Sequence, residues 1–495
     1  MLSLEWKQTN DGVETYEIFW DAVTDAAGYQ VTVKQNATIV DEIEKTTETS
    51  YSLKEKAGLA FGSDFTVQVT ALASNPEQNS APGQKMVSTC FAGTTGEDGT
   101  EANPFVIKNY RHFANMASAN DNKYYLVESD ITLPSDYTPI ADFSAKLSGK
   151  TDENGKLPVI DFGTRNGLAN FALIKVMNSG AKVSNLKFTG NLSGSTYISS
   201  VANDLNYDAV IDGCESAAVI QATGNYVGGI VSRVIKGTVS NCVNSGDVKT
   251  AGQYAGGITA IIWGSSAVQT KLITGCHNTA AVEGGRYTGG ICGMFNQQNA
   301  IIEKCHNAGS VISTADSVGG IVGAGYGAIR ECYNTGAVTG TTNVGGIGGN
   351  LCSLSNTVTY AGSIENCYNT GAVTATNGHA GGIVCTIRYN AVTNVYNIGT
   401  VTGKNRSPVY RLRYPSGGSA MTGEDQNTVI NAYHDDKVTD TYDDTALKSL
   451  DELKNPGIFD QTSGASGSDI WQIAEDEFGY PYLQLKNNPH KVVFQ

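Results

Sequence analysis

The histidines and nucleophile motifs of this sequence do not fall at catalytic spacings. A zincin helix needs H-E-x-x-H, because two imidazoles four residues apart then face one metal ion. None of the six histidines has a second histidine four positions away: His112, His277, His306, His379, His434 and His490. G-x-S-x-G and phosphate-loop spacings are not convincing, since chance matches are expected among 57 glycines. We therefore expect no zincin-type peptidase activity and no cofactor.

The acidic residues leave one enzymatic alternative open. Polysaccharide lyases and glycoside hydrolases need carboxylates that converge in a groove. Between positions 224 and 400 the acids occupy scattered registers: Asp247, Glu283, Glu303, Asp316, Glu331 and Glu365. An earlier group consists of Asp130, Asp142, Asp161, Asp204, Asp208 and Asp212. Because no cluster is evident, we expect no catalytic residues and keep a polysaccharide-degrading enzyme as the alternative.

These residues are set in an internal repeat made of two alternating elements. The first is a glycine pair followed by isoleucine, and the pairs begin at Gly228, Gly256, Gly289, Gly319, Gly345 and Gly381. The second aligns on Cys242, Cys276, Cys305, Cys332, Cys367 and Val395, with a degenerate copy at Cys214. Around this cysteine column, isoleucine or valine comes three residues earlier and asparagine two residues later. The period varies, and the extra residues fall between the two elements.

Constant columns with one variable loop are typical of stacked coils. The units are rich in β-branched residues, glycine and asparagine rather than in helix formers. Repeated glycine pairs weaken regular strands unless the backbone bends there or approaches a neighbour closely. The pattern predicts an all-β chain with a parallel β-helix, right-handed by the usual rule for parallel crossovers. The three-residue step from isoleucine to cysteine breaks strict alternation and predicts a bend.

The cysteine column is best explained as buried filling. Stacked residues in successive coils have nearly parallel Cβ directions, which a disulfide does not favour. Zinc would have to use the Cys-His pairs at 276–277 and 305–306, but no C-x-x-C is present and strand neighbours point to opposite faces. We therefore predict no metal site and a structural thiol ladder of Cys214, Cys242, Cys276, Cys305, Cys332 and Cys367. The aligned asparagines predict a ladder of side-chain amides at left-handed turn positions.

Two sets of rings are candidate ligand-binding residues. The residue after each position of the cysteine column, including Val395 and a later degenerate copy at Ala432, should point outward and form a rail: His277, His306, Tyr333, Tyr368, Tyr396 and Tyr433. The variable loops contribute Trp263, Phe295, Tyr326 and Tyr389, with Arg388 beside the last. Planar rings with adjacent polar groups suit sugar faces or a protein partner. The structural alternative is that the rail only supports the sheet and the loop rings tuck over the coil ends.

The flanking segments carry other patterns. In residues 1–88, two alternating runs predict strands of a β-sandwich: Tyr16, Ile18 and Trp20, then Tyr29, Val31 and Val33. Residues 89–103 form a Gly/Thr-rich linker. We place the β-helix at 104–440, with an amphipathic N-terminal cap helix at about 109–119 that buries Phe113 and Met116. A C-terminal cap, helix-like at 444–454 and including Trp471, covers 441–495.

Two segments resemble known families. Residues 1–88 resemble a fibronectin type III module in W-D-A-V…G-Y-Q-V-T-V (20–33), T-S-Y-S-L (49–53) and L-A-F-G-S-D-F-T-V-Q-V-T-A (59–71), although Phe65 stands where that family has a corner tyrosine. Residues 104–485 resemble the GLUG-repeat proteins of bacterial surfaces in G-G-I-V-G-A-G-Y-G-A-I-R-E-C-Y-N-T-G-A-V (319–338) and A-G-S-I-E-N-C-Y-N-T-G-A-V (361–373). The second resemblance implies export and cell-surface placement. It does not imply proteolysis, because this repeat is not the catalytic part of the peptidases that carry it.

The charge and the hydropathy of the chain limit the classes of binding partner that we expect. The formal charge of −15 disfavours nucleic acid. No stretch approaches the ~18 apolar residues of a membrane span, and the N-terminus lacks the pattern of a signal peptide. Acids and bases nearly balance between 224 and 400, so we expect uncharged glycans or host or bacterial surface proteins as partners. The sequence thus predicts an exported, monomeric, non-catalytic surface protein for adhesion or glycan binding. A β-helix lyase or hydrolase and a structural stalk remain the alternatives.

Overall fold

The computed structural model describes the chain in fifteen stretches. They are residues 2–10, 14–35, 38–54, 64–88, 99–116, 122–264, 271–352, 362–388, 390–413, 428–435, 446–448, 452, 458, 470–475 and 481–488. The chain forms two compact units, one of Met1–Ala119 with Lys123–Ile131 and one of Asn120–Asn122 with Thr132–Gln495. The first unit thus extends beyond residue 103, the end of the predicted linker. In the described parts, no helix is long and apolar enough to cross a membrane.

The first unit contains a sandwich of two antiparallel sheets. One sheet has the order Leu4–Asn10, Glu14–Trp20 and Ser50–Lys54; the other has the order Thr38–Thr46, Gly28–Gln35, Asp64–Leu72 and Gly83–Ser88. A 3-10 turn at Pro76–Gln78 precedes the last strand. Alternate residues of the facing strands form the core, including Tyr16, Ile18, Val31, Phe65 and Val67, all fully buried. The predicted alternation is confirmed.

A short α-helix follows the sandwich in the same unit. The helix Tyr110–Asn115 lies in the sequence between the strands Phe105–Ile107 and Tyr124–Val127, which pair with each other in parallel. The side chain of Asn109 caps the helix by accepting a hydrogen bond from the His112 amide at 3.0 Å. Phe113 and Met116 are fully buried, as their spacing predicted. The described helix lies within the predicted 109–119, and residues 117–121 lie outside the described set.

The second unit is a parallel β-helix whose strands pair in register from coil to coil. Its early coils contain strands Ile131–Thr132, Ile140–Phe143, Lys146–Gly149, Val159–Leu168, Ile174–Met177, Lys182–Ser184, Lys187–Gly194, Ala202–Leu205, Val210–Asp212, Glu215–Ser216 and Val219–Ala222. From Val227 onward, each coil starts with a short glycine strand. These are Val227–Gly228, Ala255–Gly256, Thr288–Gly289, Asp316–Gly319, Thr342–Gly345 and His379–Gly381, and Asn405–Ser407 occupies the same position without a glycine.

Four further strand positions complete each of these coils. The position after the glycine strand is Val231–Val234, Thr259–Trp263, Cys292–Glu303, Val322–Arg330, Gly348–Cys352, Val384–Arg388 and Tyr410–Arg413. The next two positions, fused in later coils, are Thr238–Ser240, Val243–Asn244, Lys271–Thr274, His277–Asn278, His306–Asn307, Tyr333–Asn334, Gly362–Asn369, Asn390–Asn397 and Thr428–Asp435. The last is Val248–Thr250, Val282–Gly284, Val311–Ser313, Val338–Gly340, Val373–Ala375 and Val401–Thr402.

The chain turns just before each column cysteine. Asn241, Gly275, Lys304, Glu331 and Asn366 all have φ between 48° and 61°, the left-handed region. This corner is the predicted bend between isoleucine and cysteine, and Gly and Asn are suited to it because they tolerate positive φ. The aligned asparagines themselves were expected to take left-handed geometry, and that prediction is wrong. They are strand residues whose side chains point into the core.

The aligned asparagines form the predicted ladder. The Nδ2 atom of Asn307 donates to Oδ1 of Asn334 at 2.8 Å and to the Gly309 carbonyl at 2.7 Å. The same two hydrogen bonds from Nδ2 are made by Asn244, Asn278, Asn307, Asn334 and Asn369, and Asn397 accepts the last bond of the ladder; all six are fully buried. The Nδ2 groups of these five residues are therefore satisfied, whereas Oδ1 of Asn244, at the first end of the ladder, has no hydrogen-bond partner among the described residues.

Candidate ligand-binding face

The predicted rail of rings exists, but its tyrosines are not available to a ligand. His306 stacks on Tyr333 with centroids 4.7 Å apart, and Tyr333 and Tyr368 follow at 4.9 Å with an 8° angle between ring planes. Tyr368 and Tyr396 continue the stack at 5.0 Å. All three tyrosines are at most 2% exposed. The expectation that Tyr333, Tyr368 and Tyr396 form an outward binding row is wrong, because another segment of the chain covers them.

That cover is a C-terminal hairpin. Trp471–Glu475 and Pro481–Leu485 pair antiparallel, and the Trp471 ring lies 6.0 Å from Tyr368 and 5.8 Å from Tyr396. Asn488 fastens the end of the hairpin by donating to the carbonyls of Cys305 at 3.1 Å and Glu331 at 2.9 Å. The C-terminal segment thus covers a side of the solenoid. In the predicted helix at 444–454, Ala446–Lys448 is instead a strand paired with Tyr433–Asp435, and most of the remaining residues lie outside the described set.

The predicted loop aromatics divide into different environments. Phe295 is fully buried and lies in register between Ile262 and Gly325, so its assignment as a binding residue is wrong. Trp263 is 46% exposed, and Tyr326 is half-buried. The side chain of Arg388 and all of Tyr389 lie outside the described residues. Trp263 is therefore the exposed ring of this set, on the outer face of the strand Thr259–Trp263.

A second stack of rings was missed by the sequence reasoning. Tyr197, Tyr226, Tyr254 and Tyr287, here called the tyrosine stack, occupy the corner just before the glycine strand position in four successive coils. Their centroids are 4.6, 4.9 and 5.3 Å apart, with ring planes within 18° of parallel. All four have φ between 52° and 66°, which bulky residues rarely adopt. A signal was present: three of them precede x-G-G-I, and alignment on the glycine pairs would have shown the column.

An arginine–carboxylate pair lies against each terminal ring of the tyrosine stack. Arg233 lies over the Tyr197 ring at 5.0 Å and makes a two-pronged bond to Asp204, Nε to Oδ1 at 2.7 Å and Nη2 to Oδ2 at 2.6 Å. At the other end, Arg286 lies over Tyr287 at 4.6 Å, and its Nε is 2.8 Å from Asp316 Oδ1. The guanidinium groups hold the terminal rings by cation–π contacts while their charge is neutralised by a carboxylate.

A row of apolar side chains packs against the tyrosine stack. Ile261, Met294 and Ala324 lie in register on the outer face of successive coils and are at most 2% exposed, packed against Tyr287 and the half-buried Tyr254. Trp263 is two residues beyond Ile261 on the same strand and so shares this face. Burial, together with the neighbouring tyrosine groups, raises the pKa of the Tyr226 and Tyr254 hydroxyls above the usual 10.0. These hydroxyls therefore remain neutral donors and acceptors at physiological pH.

The column cysteines are buried free thiols. All six are fully buried, and the described cysteines Cys292 and Cys385 are also buried and free. Each column sulfur lies 3.1–3.9 Å from two carbonyls, one two residues earlier and one in the preceding coil. Burial raises the pKa of Cys242, Cys305 and Cys367 well above the usual 9.0. These groups are thus held as thiols that satisfy backbone carbonyls.

The early carboxylates connect neighbouring coils. Asp208 accepts from the Ser179 hydroxyl at 2.7 Å, Asp212 from Ser240 at 2.7 Å, and Asp161 from Thr189 at 2.8 Å. Asp204 belongs to the arginine pair described above. Among the residues that the structure describes, no group of three or more His, Cys, Asp or Glu side chains could hold a metal ion. The carboxylates of Asp161, Asp208 and Asp212 thus accept hydrogen bonds from hydroxyls of the neighbouring coil, and these bonds connect the stacked coils.

The strand ladders define the second unit as a parallel β-helix, in a chain that is otherwise almost entirely β. Solved structures similar to it include a proposed immunoglobulin A1 protease from Bacteroides ovatus, which is 20% identical with a TM-score of 0.40 and covers 78% of this chain and 94% of that chain. Pectate lyase PelI from Erwinia chrysanthemi, in complex with tetragalacturonic acid, is 12% identical with a TM-score of 0.13, covering 69% and 85% of the two chains. Pectate lyase Pel3 from Pectobacterium carotovorum is 13% identical with a TM-score of 0.14, covering 68% and 86%. No family model and no curated protein matches the chain.

Proposed function

We propose that this chain is a non-catalytic, exported bacterial surface protein that binds glycans through the face carrying the tyrosine stack and Trp263. The observation that carries the proposal is the tyrosine stack itself. Four bulky side chains are held at left-handed backbone positions, each of which costs on the order of 1–3 kcal/mol. Such strain concentrates at functional sites, and a row of aromatic hydroxyls on a rigid scaffold is suited to binding sugars.

Three further observations support this function. Trp263 presents a largely exposed indole on the same face, and a planar ring beside polar groups is suited to a sugar. The carboxylates near this face are engaged with arginine, which favours binding over acid–base chemistry. The resemblance to GLUG-repeat proteins supports export and a cell-surface location. The sandwich, with its three-stranded and four-stranded sheets, is consistent with a fibronectin-type spacer module.

The proposal is tested by screening the full chain on a glycan and mucin array and for adhesion to host cells. We expect binding that falls at least about tenfold in Trp263→Ala and in the double variant Tyr226→Ala/Tyr254→Ala, as loss of hot-spot rings predicts. Tyr207→Ala is the matched control, because this tyrosine is 53% exposed but lies outside the tyrosine stack. Its binding should equal that of the parent chain.

Two results would overturn the proposed function. One is no binding above background on any glycan or cell surface by a chain shown to be folded. The other is release of cleavage products from a polysaccharide panel, abolished by substituting a carboxylate, which would identify the chain as an enzyme.

A further inference from the structure

Three members of the tyrosine stack offer ring edges and hydroxyls to a ligand: Tyr197, Tyr226 and Tyr254 are half-buried, whereas Tyr287 is only 7% exposed. Within the stack the faces of Tyr226 and Tyr254 are covered by their neighbours, and Arg233 and Arg286 lie over the terminal rings. The ligand-binding elements are therefore a row of hydroxyl groups, one from each coil, running along the solenoid axis.

This row has a fixed repeat. Successive ring centroids are 4.6 to 5.3 Å apart, because parallel strands of adjacent coils are separated by about 4.8 Å. A ligand that bonds to every hydroxyl needs a similar repeat along its own axis. An extended polypeptide, at about 3.3 Å per residue, does not match it. An extended β-1,4-linked sugar chain does, with one sugar per coil, whereas α-1,4-linked chains curve away from a straight row.

The charges around the row determine the class of sugar. Both flanking arginines are already bonded to a carboxylate, Arg233 to Asp204 and Arg286 to Asp316. A uronate or sulfate group would have to displace these carboxylates and would meet their negative charge. The hydroxyls of a neutral sugar can instead donate to and accept from the tyrosine hydroxyls without disturbing either pair.

From these relations we infer that the tyrosine stack binds a neutral, extended, β-1,4-linked glycan parallel to the solenoid axis, with three consecutive sugars on Tyr197, Tyr226 and Tyr254, while the buried Tyr287 supports the end of the row. The inference rests on the glycan-binding function proposed above and names its ligand class. The bonds that select the ligand come from the hydroxyls, and the rings serve to space them.

The test is calorimetric titration of the full chain with oligosaccharides of two to six sugars. Cello-, xylo- and manno-oligosaccharides represent the inferred class, and malto-oligosaccharides and oligogalacturonates are the contrasts. We expect affinity for at least one neutral β-1,4 series to rise with each sugar up to three and then level off. The double variant Tyr226→Phe/Tyr254→Phe keeps the rings and loses two hydroxyls, so its affinity for the trimer should fall about tenfold.

A second variant tests the charge argument. Asp204→Asn releases the guanidinium of Arg233 from its carboxylate and should increase binding of oligogalacturonate relative to the parent chain. Preference of the parent for malto-oligosaccharides or oligogalacturonates, an affinity independent of chain length, or an unchanged affinity in the phenylalanine variant would each overturn this inference while leaving glycan binding intact. Failure to bind any glycan at all would instead overturn the proposed function.

Discussion

The carboxamide of Asn334 occupies the space that a side chain on Gly320 would need. A carbon atom placed at Cβ of Gly320 would overlap Asn334 Cγ and the Gly346 carbonyl oxygen, and would lie 2.7 Å from Asn334 Nδ2. The same relation joins Gly229 with Asn244 and Gly290 with Asn307. The two most regular columns of the sequence, the glycine pair and the asparagine, are thus two sides of one close contact.

Substituting this glycine should destabilise the solenoid. Gly320→Ala forces the added methyl group against the amide ladder and the backbone of the next coil, and overpacking of this kind costs about 1–3 kcal/mol. We expect a lower urea midpoint by circular dichroism. Gly403→Ala is the control, since the nearest atoms to its added Cβ lie 3.2 Å or more away, against 2.7 Å or less at Gly320. Equal midpoints for the two variants would show that the coil relaxes around the methyl group.

The columns that the sequence revealed are those in which every coil makes the same contact. Gly320 and Asn334 recur because each coil meets an identical neighbour, so periodicity alone identifies them. The bend before Cys332 could be inferred because strict alternation fails there. Tyr254 and its stack follow the same rule, but their column appears only when the residues before the glycine pairs are aligned.

Other features depend on contacts that do not repeat. The burial of Tyr368 is produced by Trp471, about a hundred residues later in the chain, and no pattern around Tyr368 signals that cover. Phe295 lies in a long strand in register with the fully buried Ile262, and its ring lies beside Gly327 of the next coil, where the absence of a side chain leaves room for it. Long-range packing of this kind is not encoded in local spacing.

The column cysteines should resist thiol reagents in the folded protein. All six are fully buried, and the raised pKa of Cys242, Cys305 and Cys367 leaves little thiolate even at about pH 9. With Cys90→Ser/Cys352→Ser as background, we expect no reaction with a disulfide reagent in buffer and eight reacting thiols after denaturation. Rapid reaction of the native background chain would show that the thiol column opens to solvent.

Asp212 should make stability depend on acid pH. Its partial burial would raise the pKa, but hydrogen bonds from Ser240 and Asn241 and the charge of Lys182 outweigh this and lower it below the usual 3.8. Ionised Asp212 therefore stabilises the fold above that value, and the contribution is lost as pH falls through the folded-state pKa. Asp212→Asn should unfold at lower urea than the parent at about pH 7, with the gap narrowing at about pH 3. The exposed Glu153→Gln should show no such gap, and a gap that is constant with pH would contradict the assignment.

Trp471 should hold the hairpin on the rail of tyrosines. A two-stranded hairpin has little stability alone, so its position depends on the Trp471 ring against Tyr368 and Tyr396 and on the bonds from Asn488. Trp471→Ala removes a fully packed indole, at a cost of about 3–5 kcal/mol, which should release the hairpin rather than unfold the coils. We expect faster hydrogen exchange at 470–488 and at the strands that carry Tyr333 and Tyr368, with the circular dichroism spectrum unchanged. Trp263→Ala removes the same side chain from an exposed position and should leave exchange unaltered at these segments. Unchanged exchange in Trp471→Ala would mean that Asn488 and the remaining contacts suffice to keep the rail covered.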